Sequence, residues 1–299
     1  MKPLRDNRWI LVLQQVWPLF PAAIFLLGFL VIVVSYLVGL SLSQPLADAA
    51  KFPSLVAVQH VMEMPVFRES LYNTLLFVVC GTPVEVMLGL VVALLLYRNF
   101  RARNLIRSVI LIPLAVPALV TAILLFIIFD FPGGHVNHLL LGRYDLFPRL
   151  LHDPINWRSI KVFALGISLL GKVWRDLPIS VLILSAGLNA IDPELFDAAK
   201  TMGASFKTRF RLIIVPLLLP SISAVILLRS LEMWKEFIFP FILAGKYNLL
   251  GTLIEALYNN WGRSHEAAVV ALILVACIIV STGLFMWLLD MVRRRLTGE

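Results

Sequence analysis

Six apolar runs, each long enough to cross a bilayer, constrain this chain more than anything else in it. They lie near Leu19–Leu40, Leu71–Tyr97, Arg107–Phe129, Val162–Ala186, Phe210–Phe239 and Glu266–Met291. About 30 Å of hydrocarbon takes roughly 20 helical residues. No water is available there, so each run must satisfy its backbone internally, and in single segments a helix does so. The chain of 299 residues is 60% hydrophobic and only 15% charged, whereas a soluble chain is about 45–50% apolar. The prediction is an all-α polytopic membrane protein with six transmembrane helices, a single transmembrane domain over 1–299. The first run is read as a span, being too long for a cleaved signal and lacking a small-residue cleavage site followed by a soluble domain.

The basic residues give the orientation. Lys2, Arg5 and Arg8 precede the first run, and Arg98, Arg101, Arg103 and Arg107 follow the second. Lys200, Lys207, Arg209 and Arg211 follow the fourth, and Arg293, Arg294 and Arg295 follow the sixth. With six spans all four groups fall on one side. The excess of Lys and Arg in short flanks marks the cytoplasmic face, so both termini are expected there, in a multi-pass cell (inner) membrane protein. The other connections mix signs, as Asp48, Lys51, Glu63, Arg68 and Glu69 do in the first. The net charge of +8 is therefore a topology signal, and no nucleic-acid partner is expected. The longest connection, Asp130–Lys161, carries Pro132, Gly133, Gly134, Pro148 and Pro154 and is expected to be irregular with one short helix.

Motifs for covalent chemistry are missing. Cys80 and Cys277 sit in apolar runs and read as small buried hydrophobes. The five His lack metal-ligand spacing, and no nucleophile–base set is visible. Gly166–Lys172 matches G-x-x-x-x-G-K, but Val173 follows where a phosphate loop needs Ser or Thr, and the match lies inside the fourth run. No catalytic, cofactor-binding or metal-binding residue is expected, and the chain is not read as an enzyme.

The connection between runs four and five is unusual. Asp192 followed by Pro193 is a helix start: an N-cap acceptor, then proline at the first helical position. The helix is expected over about 193–203 and ends at Gly203, a residue suited to the left-handed turn after a helix. Leu195, Phe196, Ala199 and Met202 recur at helical spacing and are expected to share one face. From there the chain passes directly through 204–211 into run five.

This stretch resembles the EAA motif of ABC-importer permeases. Asp197-Ala198-Ala199, three residues, Gly203, nine residues, Ile213, one residue and Val215-Pro216 follow the pattern Glu-Ala-Ala-x3-Gly-x9-Ile-x-Leu-Pro, with Asp for Glu and Val for Leu. Leu188–Pro193, Pro220, Asn73-Thr74, Trp174 and Pro178 also fit, so the resemblance covers roughly residues 70–290. It is similar to the carbohydrate-uptake branch, the permeases for maltose, trehalose and glycerol-3-phosphate. The resemblance implies a coupling helix of Leu195, Phe196, Asp197, Ala198, Ala199, Met202 and Gly203, seated in a cleft of an ATP-binding subunit, with Asp197 contacting that subunit. It implies a second homologous permease, two ATP-binding subunits, an extracytoplasmic solute-binding protein and contact with membrane lipid. ATP and Mg²⁺ would bind the partner subunits, with no cofactor in this chain. The solute implied is a sugar or a related polyol or oligosaccharide. An anionic solute such as glycerol-3-phosphate, or a secondary transporter acting alone, is the alternative.

Charges inside apolar runs are costly, about 2.5–3.5 kcal/mol each on insertion scales, and are functional hypotheses by default. Run four carries Lys172, Arg175 and Asp176. Run five carries Arg229, Glu232, Lys235 and Glu236, with Arg229, Glu232 and Glu236 on one stripe. One reading is a polar solute path lined by Lys172, Trp174, Arg175, Asp176, Arg229, Glu232, Trp234 and Glu236. The other is a set of structural locks, pairing Lys172 with Asp176, and Glu232 with Lys235 or Glu236 with Arg229. Sequence leaves both open. Glu85, beside Pro83, reads as a structural partner, and Asn73 as a helix cap.

Overall fold

The computed structural model describes residues 17–43, 53–98, 100–144, 146 and 148–297. Lys2, Arg5, Arg8, Asp48 and Lys51 lie outside the described residues. Among the described residues the regular structure is helical. The long helices are α1 (Phe20–Ser41), α3 (Pro65–Tyr97), α7 (Lys161–Asn189), α10 (Val215–Trp234) and α13 (Ser264–Thr297). Shorter ones are α2 (Val56–Glu63), α4 (Arg103–Ala115), α5 (Ala118–Ile128), α6 (His135–Leu140), α8 (Pro193–Thr201), α9 (Phe206–Arg209), α11 (Ile238–Leu243) and α12 (Leu250–Glu255). A π turn at Phe210–Ile214 joins α9 to α10, so one apolar helix runs over Phe206–Trp234.

The expected third span is broken. Its halves, α4 and α5, meet at 92°. Pro117 is the cause: it lacks an N–H to continue the ladder, and it pushes Val116 into the extended region at φ −85°, ψ 127°. The expected fifth span is shorter at its end. The helix stops at Trp234, Lys235 leaves helical geometry at ψ 2°, and Phe239 belongs to α11. Pro240 sits inside α11, and the carboxylate of Glu236 accepts the Phe239 N–H at 3.1 Å, so the chain restarts as a separate short helix.

The core is built by α3, α7 and α10, packed on one another. Glycines allow close approach both within this core and to α5 and α11. A Cβ on Gly171 of α7 would lie 2.6 Å from Leu125 and 2.7 Å from Phe239, and one on Gly81 of α3 would lie 2.8 Å from Met233 and from Leu169. α13 packs on α10 and α12 and carries α1 on another face. α1 is exposed over most of its length and becomes buried only towards Ser41. There Ser43 Oγ lies 3.0 Å from Nδ1 of His265. Cys80 is exposed on α3 rather than buried as expected, because it falls on the outward face beside Val79.

Three of the four basic groups meet at one end of the bundle. Arg98 borders a groove with Pro193, Lys200 and Arg209, and Arg293 borders another with Pro216 and Pro220. At the other end Asn73 Nδ2 donates to Asn248 O at 2.9 Å, and Thr74 Oγ1 accepts from Leu250 N at 2.9 Å. Asn73 is therefore no helix cap. It lies buried two turns inside α3 and ties that helix to the loop before α12.

Candidate functional site

The intramembrane charges converge on one network. Arg229 on α10 reaches Glu85 on α3 at 3.1 Å, Glu232 one turn along at 2.8 Å, and Asp176 on α7 at 3.8 Å. Lys172 is paired with Asp176, one helical turn away, and reaches Glu236 at 3.3 Å and Glu232 at 3.7 Å. Arg175 meets Asp176 at 2.6 Å, and Ser180 donates to Glu85 at 3.1 Å. Sequence reasoning pairs Lys172 with Asp176, as the structure does, and Glu232 with Lys235 or Glu236 with Arg229. The structure gives Glu232 to Arg229 and Lys172, and Glu236 to Lys172. The Arg229–Glu232 pair lies within α10 at i,i+3, whereas Lys172 projects from α7 to Glu232 on α10 and to Glu236 just beyond it, which no spacing within one helix reveals.

Such a cluster is expensive to bury, and it is retained only when nearly every charge has a partner. Three cations (Lys172, Arg175, Arg229) face four carboxylates (Glu85, Asp176, Glu232, Glu236). The network therefore holds no uncompensated positive charge. Arg229 is 0% exposed and makes its contacts through Nη1, while among the described residues its Nε and Nη2, and Oε2 of Glu85, have no hydrogen-bond partner. Those polar groups remain available for re-pairing if the helices shift.

The path candidates separate by burial. Lys172, Asp176, Arg229, Trp234 and Glu236 are buried between helices, whereas Arg175 and Glu232 each reach the surface in part. Trp174 is 47% exposed and continues the outward stripe of Gly166 and Leu170 on α7. The Gly166–Lys172 stretch is continuous helix.

The second candidate site is α8, set at 67° to α7. Asp192 accepts the Glu194 N–H at 2.9 Å, Pro193 opens the helix, and Gly203 follows at φ +74°. Phe196 is the side chain that anchors it, buried against Tyr97 with ring centroids 5.7 Å apart and packed in the cluster of Leu184, Leu188, Ile214 and Leu218. Leu195, Phe196, Ala199 and Met202 do not share one face in the sense expected. Phe196 turns into the bundle, Ala199 lies at the margin, and Leu195 and Met202 (87% exposed) point away. At about 100° per residue Phe196 lies a quarter turn or more around the helix from Leu195 and Met202, so the apolar side divides between the bundle and the outside. Asp197 and Ala198 are exposed, with Asp197 paired to Lys200 at 2.8 Å.

Residues 85–298 match the family described as binding-protein-dependent transport system inner membrane component. This chain belongs to that family. The matched segment of this transport component starts at Glu85 and contains the whole charge network and α8. The chain is 32% identical over 181 residues to the trehalose/maltose transport system permease protein MalF of Thermococcus litoralis, an alignment spanning 60% of this chain and 58% of that one. It is 31% identical over 264 residues to the probable ABC transporter permease protein y4oQ of Sinorhizobium fredii, spanning 86% and 82%. In fold it is similar to a chain of the bacterial alginate ABC transporter solved in complex with an alginate pentasaccharide-bound periplasmic protein. The TM-score is 0.76 at 16% identity, over 98% of this chain and 99% of that one.

Proposed function

We propose that this transport component is one of two permease subunits of an ATP-driven importer that takes up a sugar, polyol or oligosaccharide delivered by an external binding protein. The observation that carries the reading is the build of α8. It is a capped helix whose one buried side chain, among the described residues, is Phe196, with Leu195, Ala198 and Met202 presented outward at the basic end. That is the form of a lever: an ATP-binding subunit gripping the outward side moves Phe196. Phe196 in turn bears on Leu184, Leu188 and Ile214 at the ends of α7 and α10. The basic end is the cytoplasmic one in this reading, and the outer loops receive the binding protein. ATP hydrolysis resides on the partners. The similarity to a trehalose/maltose permease supports a carbohydrate.

The charge network is read as a lock holding α3, α7 and α10 in register. Trp174, Arg175 and the exposed part of Glu232 contribute to the solute path beside the second permease. With its cations compensated, the network offers no free positive charge to an anionic solute, which favours a neutral one. The test is ATPase activity of the purified transporter in lipid, with a panel of solute-loaded binding proteins, for wild type and for Leu195→Asp/Met202→Asp. Stimulation by a sugar-loaded binding protein, lost in the variant, is the expected result. Solute flux that persists without ATP and without ATPase subunits would overturn it.

A further inference from the structure

At the basic end, α3 and the α8–α9 segment enclose a groove of about 460 Å³. Its floor is apolar and includes Val91 and Leu95, both exposed on the membrane-spanning part of α3. Its mouth is aromatic and cationic, with Tyr97, Phe206, Arg98 and Arg209. Lys200 and Asp197 also border it but pair with each other at 2.8 Å, so they add little net charge. Among the described residues neither Arg98 nor Arg209 has an ion-pair partner, and Nε of Arg209 is buried without a hydrogen-bond acceptor. Two uncompensated guanidinium groups thus stand over an apolar trough that opens onto the lipid-facing side of a spanning helix.

We propose that this groove binds an anionic phospholipid, its phosphate on Arg98 and Arg209 and an upper acyl segment along Val91 and Leu95. A free phosphate gains nothing from the apolar floor, and a zwitterionic lipid gains less from the arginines because its headgroup cation offsets its phosphate. Guanidinium groups suit phosphate oxygens through paired N–H donors, and basic pockets between spanning helices on the cytoplasmic side are a recognised form of lipid headgroup site. The same end repeats the arrangement once more, where Arg107 stands at the mouth of a groove floored by Leu96, Ile110 and Leu182. The site places a lipid against Phe206 and the start of the chain that carries α8 into α10. Lipid composition would then tune coupling, whichever solute is carried.

The test uses the purified transporter with its ATPase subunits in phosphatidylcholine nanodiscs, titrated with a photo-activatable phosphatidylglycerol. Crosslinks are expected in the 91–98 and 206–214 segments. Each arginine near the surface adds about 1 kcal/mol to anionic-lipid attraction, or about fivefold. Arg98→Gln should therefore weaken half-saturation of the crosslink about fivefold, and Arg98→Gln/Arg209→Gln about 30-fold. Arg98→Lys keeps the charge but loses the paired donors, so its half-saturation should fall between wild type and Arg98→Gln. The proposal is overturned if crosslinking is unchanged in Arg98→Gln, or if millimolar inorganic phosphate displaces the lipid. It is equally overturned if Arg98→Gln sheds the ATPase subunits while crosslinking persists, because the groove would then be a protein contact.

Discussion

Arg229 Nη1 lies 3.1 Å from Glu85 Oε1, with both side chains wholly buried, and so joins the fifth spanning segment to the second. The pair sits where α3, α7 and α10 converge, and Asp176 and Glu232 complete the shell around the guanidinium. Breaking a buried pair by removing one partner strands the other charge and costs roughly 3–5 kcal/mol. Arg229→Met strands Glu85 in a site with Ser180 as its remaining donor. It should lower the thermal midpoint of the purified protein sharply, and Glu85→Gln should do so less, since Arg229 keeps two other carboxylates. Equal midpoints for Arg229→Met and wild type would show that the network is not structural.

Close helix approach at Gly171 makes a second prediction. A methyl group there meets Leu125 and the Phe239 ring at under 3 Å. Gly171→Ala should destabilise by roughly 1–3 kcal/mol, the usual cost of overpacking. Phe239→Leu introduced alongside it should recover part of the loss, and thermal unfolding of the two variants checks this. No recovery would place the strain elsewhere.

For α8, anchor and outward side should behave differently. Phe196→Ala removes a buried ring from the cluster of Leu184 and Leu188 and should cost about 3–5 kcal/mol. Met202→Asp touches an exposed side chain and should leave stability within about 0.5 kcal/mol while abolishing solute-stimulated ATPase activity. Unimpaired stimulation in Met202→Asp would remove the outward side from the coupling reading. Gly203→Pro and Ala199→Arg should also abolish transport, the first because Gly203 holds φ +74°, which proline cannot adopt.

Thr74→Val isolates the tie between α3 and the loop before α12. It removes the acceptor of the Leu250 N–H, and leaving a buried donor unsatisfied costs roughly 1–3 kcal/mol. Amide exchange at Leu249 and Leu250 should accelerate in the variant. Unchanged exchange would mean that Thr252, which accepts the Leu249 N–H at 2.9 Å, holds the loop by itself.

Much of this protein was determined by local sequence. Apolar length fixed the helices α1, α3, α10 and α13, because in hydrocarbon a helix is the arrangement that satisfies a single segment's backbone. Asp192, Pro193 and Gly203 fixed α8, because caps and φ preferences act within a few residues. Tertiary structure decided what depends on neighbours from distant parts of the chain. It turned Phe196 inward and Met202 outward, gave Lys172 to Glu236 as well as to Asp176 on its own helix, and drew Glu85 to Arg229 across 144 positions. The angle at Val116–Pro117 belongs partly to each: proline announces a break, but its 92° is set by what the two halves pack against. Spacing along one helix describes a face, and only the packing of three helices says which face meets which.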